Sequence, residues 1–161
     1  MTELSFKVND ANGTTILAQQ LATMLETGDL LILRGELGAG KTFFVQALAA
    51  ALDSTDYVSS PTYTIANFYR CRLGHFLHMD AYRLESLVEF RDLGMDEYYD
   101  EGVTVIEWGG KVAEDFEDYL ELHLQHITGE DTARQIVLKA QGRRWQQALP
   151  LVQEALKQHL P

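Results

Sequence analysis

Positive charge is scarce in this chain: 13 lysines and arginines stand against 24 aspartates and glutamates, for a net charge of −11. That balance excludes the broad basic face with which a free-standing nucleic-acid-binding protein neutralises phosphates. Cysteine is limited to Cys71, so neither a disulfide framework nor a cysteine metal cluster can be built, and a half-buried thiol is its expected role. No run approaches the roughly 20 apolar residues of a membrane span, and the opening MTELSFKVND lacks a basic start followed by an apolar stretch. A soluble, cytoplasmic protein with no membrane role is expected. Repeats, low-complexity tracts and linkers are also missing. With 46% hydrophobic residues and only three prolines, the 161 residues read as one domain, 1–161, with material for a real core.

What is present is an alternation of strand and helix patterns. Leu4, Phe6 and Val8 alternate as in a strand, Asn9-Asp10 offers a cap, and Ile16 to Leu25 has helical spacing that Gly28-Asp29 ends. Leu30 to Leu33 is a continuous apolar run, as in a strand buried on both faces, and Phe43 to Leu52 is helical and rich in alanine. Tyr63 to Tyr69 and His75 to Met79 read as a hairpin turning at Leu73-Gly74 and ending at Asp80. Residues 85–101 read as an acidic helix, Val103 to Ile106 as a second buried strand, and Tyr119 to Ile127 and Arg134 to Ala140 as two more strands. A last helix spans Arg143 to His159, where Pro150 should produce a kink or begin a new helix.

Between the first buried strand and its helix lies Gly35-Glu36-Leu37-Gly38-Ala39-Gly40-Lys41-Thr42, which matches G-x-x-x-x-G-K-[ST] in its confirming context. Glycines let the backbone wrap phosphate oxygens, and the N–H groups and dipole of the following helix favour the anion. In this pattern Lys41 reaches the β and γ phosphates and the Thr42 hydroxyl takes a magnesium position. No Asn-Lys-x-Asp segment is present to read guanine, which favours ATP over GTP. The phosphoryl acceptor is water or a substrate hydroxyl. A small-molecule kinase usually needs an arginine-rich lid, and Arg70, Arg72, Arg83 and Arg91 are scattered.

Asp80 and Glu107 each close an apolar run, so both are expected at strand ends on the ligand-binding edge of an open α/β sheet. Either could complete a magnesium shell beside Thr42 or orient an attacking water; sequence does not separate these roles. Ser59 to Thr64 combines hydroxyls able to sense a γ-phosphate with the Ser-Pro chemistry of an ordinary turn. His78, on the same strand face as Asp80, reads as a core or hydrogen-bonded histidine, because no other His or Cys is spaced for metal binding. Trp108 reads equally as an ordinary packing residue and as one that lies near the nucleotide or covers a partner surface. The acidic positions between 85 and 101 read first as a solvated face and second as a docking surface for a basic partner.

Taken in order, GELGAGKT at 35–42, SPTYT at 60–64, HMDAYRL at 78–84, Glu89-Phe90 to Gly94, and IEW at 106–108 resemble the TsaE (YjeE) family. The resemblance implies an α/β, P-loop NTPase-like fold: a mostly parallel central sheet flanked by helices, with a β-hairpin extension. It implies a bacterial ATPase subunit, slow alone and stimulated by partners, that supports threonylcarbamoyladenosine modification of tRNAs reading codons that begin with adenine. The partners implied are TsaD-like and TsaB-like proteins that use threonylcarbamoyl adenylate made by TsaC, with tRNA engaged only through the complex and the free subunit a monomer. ATP phosphates would lie on Leu37, Gly38, Ala39, Gly40, Lys41 and Thr42, and Mg2+ on Thr42 and Glu107. Asp80 would serve a catalytic or metal-shell role, Thr62 would be the switch hydroxyl, Asp10 would border the adenine, and Arg134 would reach the nucleotide. Two positions depart from the family pattern: Glu36 replaces an aspartate and Phe43 a second threonine.

Overall fold

The computed structural model describes residues 1–61 and 65–161. Its frame is set by strands that are apolar on both sides. In β2 (Leu30–Gly35) only Arg34 is exposed, and in β5 (Gly102–Glu107) every residue is buried. Such strands belong in the middle of a parallel sheet covered on two faces. They pair in parallel with each other, with β4 (Gly74–Asp80) and with β6 (Tyr119–Ile127). β7 (Glu130–Gln141) runs antiparallel to β6 and to β1 (Glu3–Val8), and β3 (Ala66–Cys71) runs antiparallel to β4. The seven-stranded order is β1-β7-β6-β2-β5-β4-β3. The fold is therefore mixed α/β, parallel through its four central strands, with antiparallel pairing confined to the flanks.

Alternation along each strand divides the core. Leu31, Leu33, Val103 and Val105 face a cluster that includes α1 (Ala11–Met24), α2 (Lys41–Ala51) and α4 (Arg143–His159), contributing Leu17, Leu48 and Trp145 among others. Leu30, Ile32, Leu77 and Met79 face the other cluster, with Phe90 of the short α3 (Leu87–Asp92) and Val112. Asp10 begins α1 by accepting the Gly13 N–H at 3.2 Å, satisfying one donor that the first turn would otherwise leave unpaired. No helix among the described residues is long and apolar enough to cross a membrane.

Several expected elements differ in extent. The acidic 85–101 stretch is not one helix: α3 stops at Asp92, Gly94 adopts a left-handed φ of 69°, and Asp96–Glu101 forms a 3-10 turn. Its carboxylates stay in solvent, while Leu93, Met95, Tyr98 and Tyr99 pack against the core cluster that holds Phe90 from the broken backbone. Pro150 does not divide α4; it and Gln146, whose carbonyl loses its helical partner, are both exposed, so water can take the freed bond. Arg134 does not open its strand, because β7 begins at Glu130. The hairpin turn falls at Arg72-Leu73, with Gly74 already paired to Cys71. β3 starts at Ala66, and Tyr63-Thr64 from its expected beginning lie outside the described residues.

The β4–β5 pairing matters most for function, since its register sets Asp80 opposite Glu107. At its other end, a Cβ on Gly102 would overlap the His75 carbonyl oxygen. Gly102→Ala should therefore force the two strands apart and cost about 3 kcal/mol, lowering Tm by roughly 6–12 °C for a chain of this size. Gly110→Ala, where a Cβ meets nothing within 4 Å, should stay within about 0.5 kcal/mol of the parent. Thermal unfolding of the two variants checks this.

Candidate nucleotide site

The loop after β2 is shaped by two glycines that no L side chain replaces easily: Gly38 has φ 79° and Gly40 φ 107°. Ala39 tucks inward at 2% exposure while Leu37 stands out at 97%. Gly40 begins α2 without any side-chain cap, and the first turn carries no acid. The leading N–H groups of α2 are thus left with the helix dipole to attract an anion.

Around this loop is a cavity of about 600 Å³ that brings Gly38, Gly40, Lys41 and Thr42 together with Asp80, Glu107 and Ser60. The two carboxylates come from the neighbouring ends of β4 and β5 and are 6% and 4% exposed. Asp80 Oδ1 accepts the Tyr82 N–H at 2.8 Å, and the Asp80 N–H donates to the Ile65 carbonyl at 2.8 Å. Glu107 Oε2 lies 2.7 Å from His78 Nε2. Lys41 Nζ donates to the Gly35 carbonyl at 2.6 Å and sits 4.5 Å above the Trp108 ring. An arriving phosphate must draw the ammonium from both.

Asp10 and Arg134 do not line that cavity. They line a neighbouring one of about 440 Å³, which shares Gly40 and Phe43 with the first. Phe43, 40% exposed, stands where the two meet. The Arg134 guanidinium donates to the carbonyls of Ala39 at 3.0 Å and Asp131 at 2.9 Å, so its observed work is to brace the glycine loop against β7. Thr62 lies outside the described residues. Just before it, the Ser59 N–H donates to the buried Tyr69 hydroxyl at 3.0 Å, tying the Ser-Pro segment to β3. A third cavity, of about 650 Å³, opens at the start of β2 beside Asp96, Asp100, Asp115, Glu117 and Asp118. Its Arg91 is held by Asp115 at 2.6 Å, so that hollow repels anions. His123, beside Glu36 on the flank of the loop, has its pKa lowered by burial and then by Arg34. It therefore carries less positive charge there at neutral pH than a free imidazole would.

The sequence matches a family model over most of its length. The model described as threonylcarbamoyl adenosine biosynthesis protein TsaE matches residues 8–136. The chain belongs to the TsaE family. Relatives that carry the description tRNA threonylcarbamoyladenosine biosynthesis protein TsaE include one from Streptomyces coelicolor and one from Bacillus subtilis. The one from Streptomyces coelicolor is 41% identical over 136 residues, covering 80% of this chain and 91% of that protein. The one from Bacillus subtilis is 35% identical over 148 residues, covering 91% of each. The crystal structure of Bacillus subtilis YdiB matches with a TM-score of 0.78 at 31% identity, over 99% of this chain and 97% of that one. The TsaE match ends before α4, whereas the YdiB match covers nearly the whole chain.

Three features of this TsaE-family site were not legible in the sequence. The His78 partner lies 29 residues away on another strand, and only the sheet register discloses it. Trp108 has a left-handed φ of 58°, packs its ring against Tyr82 at a tilt of 54° with centroids 5.2 Å apart, and covers Lys41; a bulky residue in that conformation at a strand end is the kind of strain that collects at functional sites. Ile65, β-branched with φ 68°, links the end of the Ser-Pro segment to Asp80.

Proposed function

We propose that the chain binds ATP with Mg2+ on the loop from Leu37 to Thr42 and hydrolyses it as a subunit in tRNA threonylcarbamoyladenosine biosynthesis. The observation that carries this reading is the register-matched pair Asp80 and Glu107 facing Lys41 and Thr42 across one cavity. In this reading residues 1–161 act as one P-loop ATPase domain in the cytoplasm.

The donors suit magnesium. Thr42 offers a hydroxyl and Asp80 and Glu107 offer carboxylates, all hard oxygens. Among the described residues no group of three His, Cys, Asp or Glu side chains could hold a metal alone, which fits a cation that completes its shell with nucleotide phosphates and water. Bound there, magnesium would neutralise charge on the β and γ phosphates as the terminal bond breaks. Lys41 turns from Gly35 to the phosphates. One of Asp80 and Glu107 holds the metal and the other orients the attacking water, with Thr62 as the switch hydroxyl that registers the γ-phosphate. Asp10 and Arg134, in the adjoining cavity, serve the nucleoside side of ATP.

The net charge of −11 leaves this subunit poorly equipped to hold tRNA itself. TsaD-like and TsaB-like partners would supply the RNA surface and the transfer chemistry for tRNAs that read codons beginning with adenine, and ATP hydrolysis here would reset their complex. The free subunit is read as a monomer.

A small-molecule kinase on the same cradle is the competing reading. Incubation with γ-labelled ATP separates the two. Slow release of inorganic phosphate, accelerated by the partner proteins and indifferent to added metabolites, is expected. Label appearing in an organic product instead would establish the kinase.

A further inference from the structure

His78 is completely buried, and Nε2 meets Glu107 Oε2 at 2.7 Å, while Nδ1 has no hydrogen-bond partner among the described residues. A contact this short requires a proton between the two atoms. A ring accepting a hydrogen bond from Glu107 would carry its own hydrogen on Nδ1 and strand it in the core. A neutral ring protonated on Nε2 strands no N–H and makes His78 the donor, Glu107 the acceptor.

We infer that His78 is a positioning residue: it fixes the Glu107 carboxylate by donating to Oε2, so that the remaining lone pairs face the nucleotide cavity in one orientation. This rests on the reading of Glu107 as the carboxylate that faces Mg2+ beside Thr42. The arrangement comes from the β4 pleat. His78 and Asp80 are two residues apart and so share a face, and the parallel register carries that face onto Glu107. A single strand thus presents one carboxylate and clamps the other. Without the clamp, Glu107 would sample several rotamers at the wall of an open cavity. Outer-shell partners of this kind typically change metal affinity or activity by about 10–100-fold when removed.

The test is ATP affinity, measured by calorimetry with and without Mg2+, for the parent, His78→Leu, His78→Gln and His78→Asn. The parent should bind ATP more tightly with Mg2+. In His78→Leu the Mg2+ concentration giving half of that gain should rise about 10-fold or more, with Mg2+-free affinity within about 2-fold of the parent. Gln carries an N–H to nearly the position of Nε2 and should restore the parental Mg2+ dependence within about 3-fold, whereas the shorter Asn should not. Asn and Gln place the same polarity in the core, so their comparison holds even if His78→Leu does not fold. Equal Mg2+ dependence in Gln and Asn variants would overturn the positioning role while leaving the site reading intact. So would an affinity loss in His78→Leu that is the same with and without Mg2+. A parent protein whose ATP affinity ignored Mg2+ would overturn both.

Discussion

Lys41→Ala should weaken ATP binding by about 30-fold, or roughly 2 kcal/mol, without unfolding the protein. Each charge-assisted hydrogen bond to phosphate contributes about 1.5–3 kcal/mol. The loss is reduced because the ligand-free ammonium already has the Gly35 carbonyl and the Trp108 face, at 2.6 and 4.5 Å. The fold should tolerate the change, since the side chain is only partly buried and spans no core contact. Trp108 provides the readout: it is 40% exposed at the cavity, whereas the other tryptophan, Trp145, is fully buried against α1 and the sheet. In the parent, ATP should change Trp108 emission as the cation leaves its ring. In the variant that component should be missing, and a titration followed by calorimetry should give the weaker affinity. An affinity within about 3-fold of the parent would remove Lys41 from the phosphate site.

Glu107→Gln should lower ATP hydrolysis by about 100-fold or more while leaving Mg2+-free ATP binding almost unchanged. A positioned acid or base contributes roughly 10²–10⁴-fold to a proton-transfer step, and the same carboxylate also faces the cation position. Glutamine keeps an oxygen able to accept from His78, so the buried pair is not left with a stranded donor. Asp80→Asn should behave similarly, because its retained oxygen can still accept the Tyr82 N–H found at 2.8 Å. The two variants then sort the roles. The one that also abolishes the Mg2+-dependent gain in ATP affinity marks the metal-facing carboxylate; the one that loses only turnover marks the group that orients water. Parental turnover in both, measured as phosphate release with partner proteins present, would show that neither acid serves the chemistry.

The central part of this site was legible because it is local. The uninterrupted apolar run before Gly35 and the helical spacing after Thr42 fix the loop as a strand-to-helix turn, as β2 and α2 show. Asp80 and Glu107 were legible one at a time, as acids ending apolar runs. Their adjacency was not, because it depends on a parallel pairing between strands more than twenty residues apart. Arg134 shows the same limit. Its place at the nucleotide was implied by the family resemblance; in the structure, with β7 extending back to Glu130, the guanidinium lies on loop carbonyls beside the cavity that Asp10 also lines. Residues 85–101 misled in the opposite way: good helix formers carry the pattern across Gly94, yet the exposed acids bury too little to hold a helix through a glycine with φ 69°. At Pro150 the general rule against proline in helices yielded to burial of the rest of α4, including Ala148, Leu149 and Val152.

The most direct test is reconstitution. Unmodified tRNA, ATP, threonylcarbamoyl adenylate synthesis by TsaC, and the TsaB and TsaD proteins are combined with this chain, and tRNA modification is followed beyond one turnover per complex. The account predicts sustained turnover with the parent protein and a halt near one turnover when the chain is omitted or replaced by Glu107→Gln. Undiminished multiple turnover without the chain, or with Glu107→Gln in its place, would contradict it.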